Sequence, residues 1–387
     1  MRLARSVVVC GALLGSRAGA QLTVRATLPP GTPADAAVHV AGSFNGWNPG
    51  AVGWTLARRP YGTWAITLPD SVRGAVELKL TRGSWATVET APDGADVPNH
   101  TTVVPPTGAV TLDVAVGGWK DRFAAAVRRS TASPNVRVLD SVRIPQLGRT
   151  RRVWIYVPPG YAASRRRYPV LYVHDGQNVF DAATSFAGEW GVDESLDSLT
   201  ALGDPGAVVV AVDNGGGRRL DEYDPWRSAD PKLGGGEGDA YVDFLARTLK
   251  PWVDAHYRTL PDAAHTGILG SSMGGLISLY AALKYPRVFG RAGVFSCACW
   301  VADPRLYAYA RTHAGAARAA GARLYFVVGA LETATGGPAR DQTRMVDTLL
   351  AAGFPARDVR AEVSADGRHA EWFWRREFPA AYRWLFR

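Results

Sequence analysis

The sequence predicts an α/β protein in two parts: a mainly parallel sheet with helices on both faces, preceded by a small all-β, immunoglobulin-like sandwich. Three observations carry this. From Asn135 onward, short apolar runs alternate with stretches of helical period, the pattern of buried parallel strands linked by helices. From Gln21 to about Val116 the runs alternate with period two between turn clusters, and no helix period appears. Between one apolar run and one amphipathic stretch lies the glycine-rich turn Gly270-Ser271-Ser272-Met273-Gly274-Gly275. The 387 residues, 47% hydrophobic and 20% charged, are too many for one ordinary domain and too apolar for a disordered chain. The 42 glycines and 25 prolines are dispersed, which excludes collagen-like and low-complexity classes.

Met1 to Ala20 reads as an export signal. Arg2 and Arg5 precede the short small-and-apolar run Ser6 to Gly15, and Ala18-Gly19-Ala20 is an A-x-A cleavage site. The run is too short to span a bilayer, and Cys10 lies inside it rather than after it, which disfavours a lipid anchor. Loss of Arg2, Arg5 and Arg17 lowers the formal charge from +9 to +6 and places the protein outside the cytoplasm, secreted or periplasmic. Only five of the 44 basic residues are lysine, and no basic block occurs, so nucleic acid is not an expected partner.

Residues 21–118 form the expected sandwich, with strands such as Ala37 to Ala41 and Val76 to Leu80. A linker spans 119–134 and the larger domain 135–387. Its expected strands are Arg151–Tyr156, Val170–Val173, Ala207–Val212, Thr266–Leu269, Ala292–Phe295, Leu324–Val328 and Val359–Val363. Its helices are Asp239–Tyr257, Ser272–Lys284, Asp341–Ala352 and Ala370–Leu385. The first two strands have no helix between them and are expected to pair as an antiparallel edge hairpin. Cys297 and Cys299 fall in an expected strand; alternate residues rarely reach disulfide geometry, so both are expected as buried free thiols. Ligands of open α/β sheets sit at the carboxyl ends of the strands, so the residues after each strand are the ones to search.

Gly270 to Gly275 is G-x-S-x-G in the strand–turn–helix setting that exposes a nucleophilic serine, Ser272. Glycines on either side allow so tight a turn, and the helix start adds free N–H groups and a positive dipole. A serine hydroxyl needs a base. Of the histidines beyond Ser272, His313 belongs to an Ala/Arg-rich helical stretch and reads as a surface residue, whereas His369 follows the last strand in Ser364-Ala365-Asp366-Gly367-Arg368-His369. Glu332, after Leu324–Val328, is the expected acid; Asp341 is the reserve, with a helix N-cap as its bland role, and Asp366 a third candidate. The oxyanion donors are Met273 N–H and the backbone of Gly176 or Gln177 in His174-Asp175-Gly176-Gln177-Asn178. His174 precedes the nucleophile and reads as a packing residue.

Four segments carry a resemblance: Tyr172 to Asp181, Glu189 to Glu194, Ala211 to Asn214 with Arg219, Glu222 and Tyr223, and Gly270 to Gly275. Residues 135–387 resemble the esterase branch of the α/β-hydrolases, which includes feruloyl, acetylated-xylan and enterochelin-type siderophore esterases. The resemblance implies an α/β-hydrolase fold, Ser272 as nucleophile, His369 as base and an acid at Glu332, with no cofactor and no metal. It also implies that Trp190, Tyr223 and Trp300 border the substrate cleft; ordinary aromatic packing is the alternative reading. Cysteines at 297 and 299 depart from the pattern.

Val40 to Pro49 and Leu78 to Trp85 resemble starch- and glycogen-binding modules, with Trp47, Lys79, Trp85 and Asn99 at the positions that meet sugar. A tryptophan face suits the C–H side of a pyranose; structural packing is the alternative for each. Asn99-His100-Thr101 is a glycosylation sequon. The expected activity is therefore a secreted serine esterase acting on acyl groups, acetyl or feruloyl, carried by carbohydrate. The alternatives are a siderophore trilactone esterase and an inactive glycan-binding surface protein.

Overall fold

The computed structural model describes residues 21–123, 129–230, 233–333 and 335–387. The expected export signal, with Cys10 and Arg17, lies outside the described residues. The chain divides into two compact units between Ala126 and Val127.

The first unit is all-β among its described residues, apart from short 3-10 turns. Its strands are β1 (Gln21–Thr27), β2 (His39–Gly42), β3 (Ala57–Arg58), β4 (Thr63–Thr67), β5 (Gly74–Thr81), β6 (Glu89–Thr90), β7 (His100–Val104), β8 (Ala109–Ala115) and β9 (Gly118–Trp119). One sheet runs β3-β4-β1-β8, a second β2-β5-β7, and β6 pairs with β9. Alternation fixes the faces: Leu22, Val24 and Ala26 of β1 are buried against Val76, Leu78 and Leu80 of β5, while their neighbours point outward.

The second unit holds an eight-stranded sheet. Its elements are β10 (Val136–Ile144), β11 (Arg149–Tyr156), β12 (Val170–His174), α1 (Val192–Ala201), β13 (Val208–Val212), α2 (Arg219–Tyr223), α3 (Gly238–Phe244), α4 (Lys250–His256), β14 (Thr266–Ser271), α5 (Met273–Lys284), β15 (Arg291–Phe295), α6 (Arg305–Ala319), β16 (Arg323–Gly329), α7 (Gly337–Ala351), β17 (Val359–Ser364) and α8 (Glu371–Phe386). The strand order is β10-β11-β13-β12-β14-β15-β16-β17, parallel from β13 to β17. This is the sheet implied by the α/β-hydrolase resemblance. Every residue of β12 and β13 is buried, because helices cover both faces. Val208, Val210 and Val212 join one core cluster, and Val209 and Ala211 the other. Each such valine contributes about 1.5–3 kcal/mol relative to an exposed one.

The edge hairpin differs from expectation. Arg149–Tyr156 does not pair with Val170–His174; it pairs antiparallel with β10 on one side and with β13 on the other. The crossover from β12 through α1 brings β13 back to the position between them. The polar, bulged strand β10 (shifted between Leu139 and Val142) carries no clean period. The expected helix 239–257 is α3 and α4 joined by a π-turn, Leu245–Leu249, which ends one residue short of Pro251; Pro251 has no N–H to donate back into the helix, and the widened turn falls where that bond is missing.

Both ends of the expected connector are tied down, each within its own unit. Trp119 belongs to β9, and Lys120 N donates to Val88 O at 2.9 Å. On the other side Ser130 Oγ donates to Asp181 at 2.8 Å, Ser133 N to Asp193 at 2.7 Å and Ser133 Oγ to Asp197 at 3.0 Å. Residues 124–128 lie outside the described residues.

Candidate active site

β14 ends at Ser271 and α5 begins at Met273, so Ser272 alone makes the turn. Its φ of 58° and ψ of −121° lie outside the comfortable regions for a residue with a Cβ. The glycines permit it: a Cβ on Gly270 would lie 2.8 Å from the carbonyl carbon of Gly274, and one on Gly275 2.9 Å from Phe295 O. Ser272 N donates to Phe295 O at 2.9 Å, and its carbonyl accepts Ala298 N–H at 3.0 Å and Leu276 N–H at 3.1 Å. Met273 holds the first helical position, where the N–H has no intrahelical acceptor. β12 is a hydrogen-bonded neighbour of β14, so the turn Gly176–Asn178 leaves the sheet beside the serine. Gly176 lies flat on β13: a Cβ there would meet the Val212 carbonyl carbon at 2.8 Å. Gln177 takes Asn214 N–H on its side-chain oxygen at 3.2 Å.

His369 Nδ1 and Glu332 Oε2 are 2.9 Å apart. Glu332 follows β16, its side chain 1% exposed, and Gly329 N donates to its Oε1 at 2.8 Å. The alternatives for the acid go elsewhere. Asp366 pairs with Arg376 at 2.6 Å. Asp341 lies inside α7, whose N-cap position is Gly336, so it neither caps the helix nor meets the histidine. His313 stacks on Tyr309 within α6, ring centroids 3.7 Å apart. Among the described residues Ser272 Oγ makes no hydrogen bond.

Two expected cleft residues are interior. Trp190 is 4% exposed, between Phe295 and Trp374, with ring centroids at 5.3 and 5.6 Å. Tyr223 is fully buried, and its hydroxyl takes Asp175 N–H at 3.1 Å. Their large apolar rings fill the sheet's flanks rather than face solvent. Trp300 alone of the three is exposed, at 55%. The sequence reading also missed three exposed apolar residues adjacent in sequence to site segments: Phe186, Leu331 and Trp372.

Cys297 and Cys299 form a disulfide, contrary to expectation, with Cα atoms 5.2 Å apart. The strand ends at Phe295, Ser296 takes a φ of 43°, and Ala298 is bent as well. The segment is therefore a curled loop, and the extended geometry that would separate the thiols does not apply.

A family model described as "Putative esterase" matches residues 144–385. The chain belongs to this esterase family. An alpha-amylase of Niallia circulans is 48% identical over 101 residues, 26% of this chain and 8% of that protein. YbbA of Bacillus subtilis, described as uncharacterized, is 26% identical over 245 residues, 61% of this chain and 92% of its own. An endo-1,4-beta-xylanase/feruloyl esterase of Xylanibacter ruminicola is 25% identical over 248 residues, 62% of this chain and 30% of its own. The chain thus spans only a small part of the amylase and under a third of the xylanase. The enterobactin esterase FES of Shigella flexneri, solved with enterobactin, shares the fold with a TM-score of 0.54 at 18% identity, over 90% of this chain and 88% of that one. The amylase match falls on the N-terminal unit. No helix among the described residues is long and apolar enough to cross a membrane.

Charge around the esterase site is organised. Arg219 grips Asp175 with two parallel bonds, 2.6 and 2.8 Å, and Asn214 donates to the same carboxylate at 2.7 Å. Burial pushes the Asp175 carboxyl up, but Arg219 overrides it and holds it below the usual range. Glu371, at the start of α8, is pushed up by burial and feels His369, Asp175 and Arg219. His174 is packed beneath the elbow between Tyr223 and Tyr241, with Nδ1 3.0 Å from Tyr241 Oη. Burial lowers it to about 3, so it stays neutral, the packing role expected of it.

In the first unit Trp47 and Trp85 are half-buried neighbours, centroids 6.4 Å apart and planes 37° from parallel. Trp47 has a φ of 57°. Its loop abuts the other: a Cβ on Gly50 would lie 2.8 Å from Gly83 O. Lys79 donates its ammonium to Val97 O, and Asn99 Nδ2 donates to Glu77 at 3.1 Å. The tryptophans thus come together, while the two polar partners are engaged within the module.

Proposed function

We propose that the protein is a secreted serine esterase that removes acyl groups, acetyl or feruloyl, from carbohydrate. The carrying observation is the Glu332–His369 contact at 2.9 Å; Glu332 and His369 follow β16 and β17, and the strained Ser272 elbow follows β14, at the carboxyl ends of parallel strands of one sheet. In this reading Ser272 Oγ attacks the ester carbonyl as His369 takes its proton. Met273 N–H and the Gly176–Gln177 backbone stabilise the tetrahedral oxyanion. The intermediate collapses, the C–O bond to the alcohol breaks, and His369 protonates the leaving oxygen. Water, deprotonated by the same imidazole, then attacks the acyl-enzyme; the free acid leaves and Ser272 is restored. Glu332 keeps the imidazole in the tautomer with its proton on Nδ1 and stabilises the imidazolium.

Two observations support a carbohydrate-linked substrate. The catalytic unit is similar to a xylanase/feruloyl esterase, and the N-terminal unit, similar to a stretch of an amylase, presents the Trp47–Trp85 pair. The module serves in this reading to hold the enzyme on glucan-rich material. The experiment is a substrate panel of p-nitrophenyl acetate, methyl ferulate, acetylated xylan and ferric enterobactin. Turnover of the first three with little on the last is expected; activity confined to ferric enterobactin replaces this reading with a siderophore esterase. A well-folded protein that never takes a fluorophosphonate label on Ser272 ends both.

A further inference from the structure

Glu332 is held by more than the histidine it orients. Its desolvated carboxylate needs donors on both oxygens. Oε2 faces His369 Nδ1. Oε1 accepts two bonds, one from Gly329 N at 2.8 Å and one from the Ser296 hydroxyl at 2.5 Å. Ser296 is itself fixed. Trp374 Nε1 donates to Ser296 Oγ at 2.8 Å. An indole N–H is only a donor, so this bond occupies a lone pair of Oγ and leaves the hydroxyl proton to point at Glu332. The chain therefore has one direction: Trp374 to Ser296 to Glu332. Trp374 also meets the base, its ring edge-on to His369 with centroids 5.1 Å apart.

The backbone underlines the point. Ser296 is 1% exposed and has a φ of 43°, a region where glycine is at ease and serine is strained. Its N–H donates to Val327 O at 2.7 Å, which pins the residue beside β16, the strand that leads to Glu332. The next residue in the chain is Cys297 of the disulfide.

We propose that Ser296 is a positioning residue for the triad: its hydroxyl, aimed by Trp374, locks the Glu332 carboxylate in the orientation that receives the His369 Nδ1 proton. The inference deepens the serine-esterase reading and rests on it for its kinetic part only.

The test uses the full chain with Ser296→Ala, Ser296→Gly, Trp374→Phe and the double variant Ser296→Ala/Trp374→Phe. Ser296→Gly suits the backbone but, like Ser296→Ala, removes the buried hydroxyl, so it should melt no lower than Ser296→Ala and separates the loss of the hydroxyl from backbone strain. With p-nitrophenyl acetate, both Ser296 variants should lose roughly tenfold in kcat with KM within about twofold. Trp374→Phe should lose less, and the double variant no more than Ser296→Ala, because one chain is cut once or twice. The His369 Nδ1–H resonance in the proton NMR spectrum needs no substrate; it should be displaced in both Ser296 variants. Wild-type kcat in Ser296→Gly, additive losses in the double variant, or an unmoved Nδ1–H signal would each overturn the proposal. A wild-type protein that neither hydrolyses esters nor labels at Ser272, yet shows the displaced signal in the variants, sinks the esterase reading and leaves the hydroxyl relay standing.

Discussion

At the scale of single residues, the distinction that matters is between carboxylates near His369 in sequence and the one beside it in space. Asp366 is three positions from the histidine but spends its charge on Arg376; Glu332 is thirty-seven positions away and 2.9 Å from Nδ1. Ser272→Ala should abolish hydrolysis and fluorophosphonate labelling. Glu332→Gln should lower kcat by roughly 10²–10⁴, since the amide presents the wrong hydrogen-bonding pattern to the imidazole. Asp341→Asn and Asp366→Asn should stay within about twofold of wild type; a large loss in either would move the acid. Steady-state kinetics on p-nitrophenyl acetate read all four. The Glu332–His369 pairing was legible in the sequence because Glu332 follows the apolar strand β16 and His369 lies in the loop after the last strand, β17. Ser296 was not, because its role depends on a φ and a partner, Trp374, that no spacing displays. The sequence left Trp190 and Tyr223 open between cleft and packing, and both are buried, for a related reason: an aromatic next to a site segment looks the same in sequence whether it faces solvent or the core.

At the scale of elements, two features have measurable consequences. The start of α1 crowds Glu189, Asp193 and Glu194, whose carboxylate oxygens lie within 4.8 Å of one another. Arg375 stands 3.7 Å from Glu189 and 3.9 Å from Glu194. Burial, with a further push from Glu194, raises the Asp193 carboxyl from 3.8 to about 8. The folded state then keeps a proton that the unfolded chain releases, so stability falls as pH rises between about 4 and about 8. Asp193→Asn, which still accepts the Ser133 N–H, should lie nearest wild type at about pH 4 and melt progressively higher than it up to about pH 8 in thermal scans. A wild-type melting temperature that rises over that window would contradict the buried proton. The second feature is the Cys297–Cys299 loop, whose Ala298 N–H holds the carbonyl of Ser272. Cys297→Ser/Cys299→Ser, or reduction of the native protein, should lower kcat by about three- to tenfold through a loosened elbow, with little change in melting temperature; unchanged kcat after reduction, verified by thiol titration, would show the loop to be rigid without its bond. Central strands were easy to read because both faces are apolar. Edge strand β10 was not, because its exposed, bulged pattern resembles a loop, and the disulfide was not, because the curl after Phe295 is a backbone event.

At the scale of the whole molecule, two cores of different character share one chain: an alternating sandwich and a sheet apolar on both sides. That contrast marks the two parts in the sequence, where the period-two texture breaks near residue 117 and the strand–helix texture begins at Asn135; the units divide between Ala126 and Val127. In the proposed division of labour, binding and chemistry are separable. Trp47→Ala and Trp85→Ala should each reduce pull-down on insoluble starch while leaving p-nitrophenyl acetate turnover unchanged; a wild-type protein that never sediments with starch ends the glucan-anchoring idea. The anchoring of residues 130–135 bears on how the halves can be traded. Asp181, Asp193 and Asp197 take their donors from Ser130, Thr131, Ser133 and Asn135, so a swap of modules that begins the catalytic half at Asn135 strips bonds from three acids at once. A graft junction placed at Val127 carries that strap along, and any foreign module spliced there inherits a hydrolase whose acidic shoulder is already dressed.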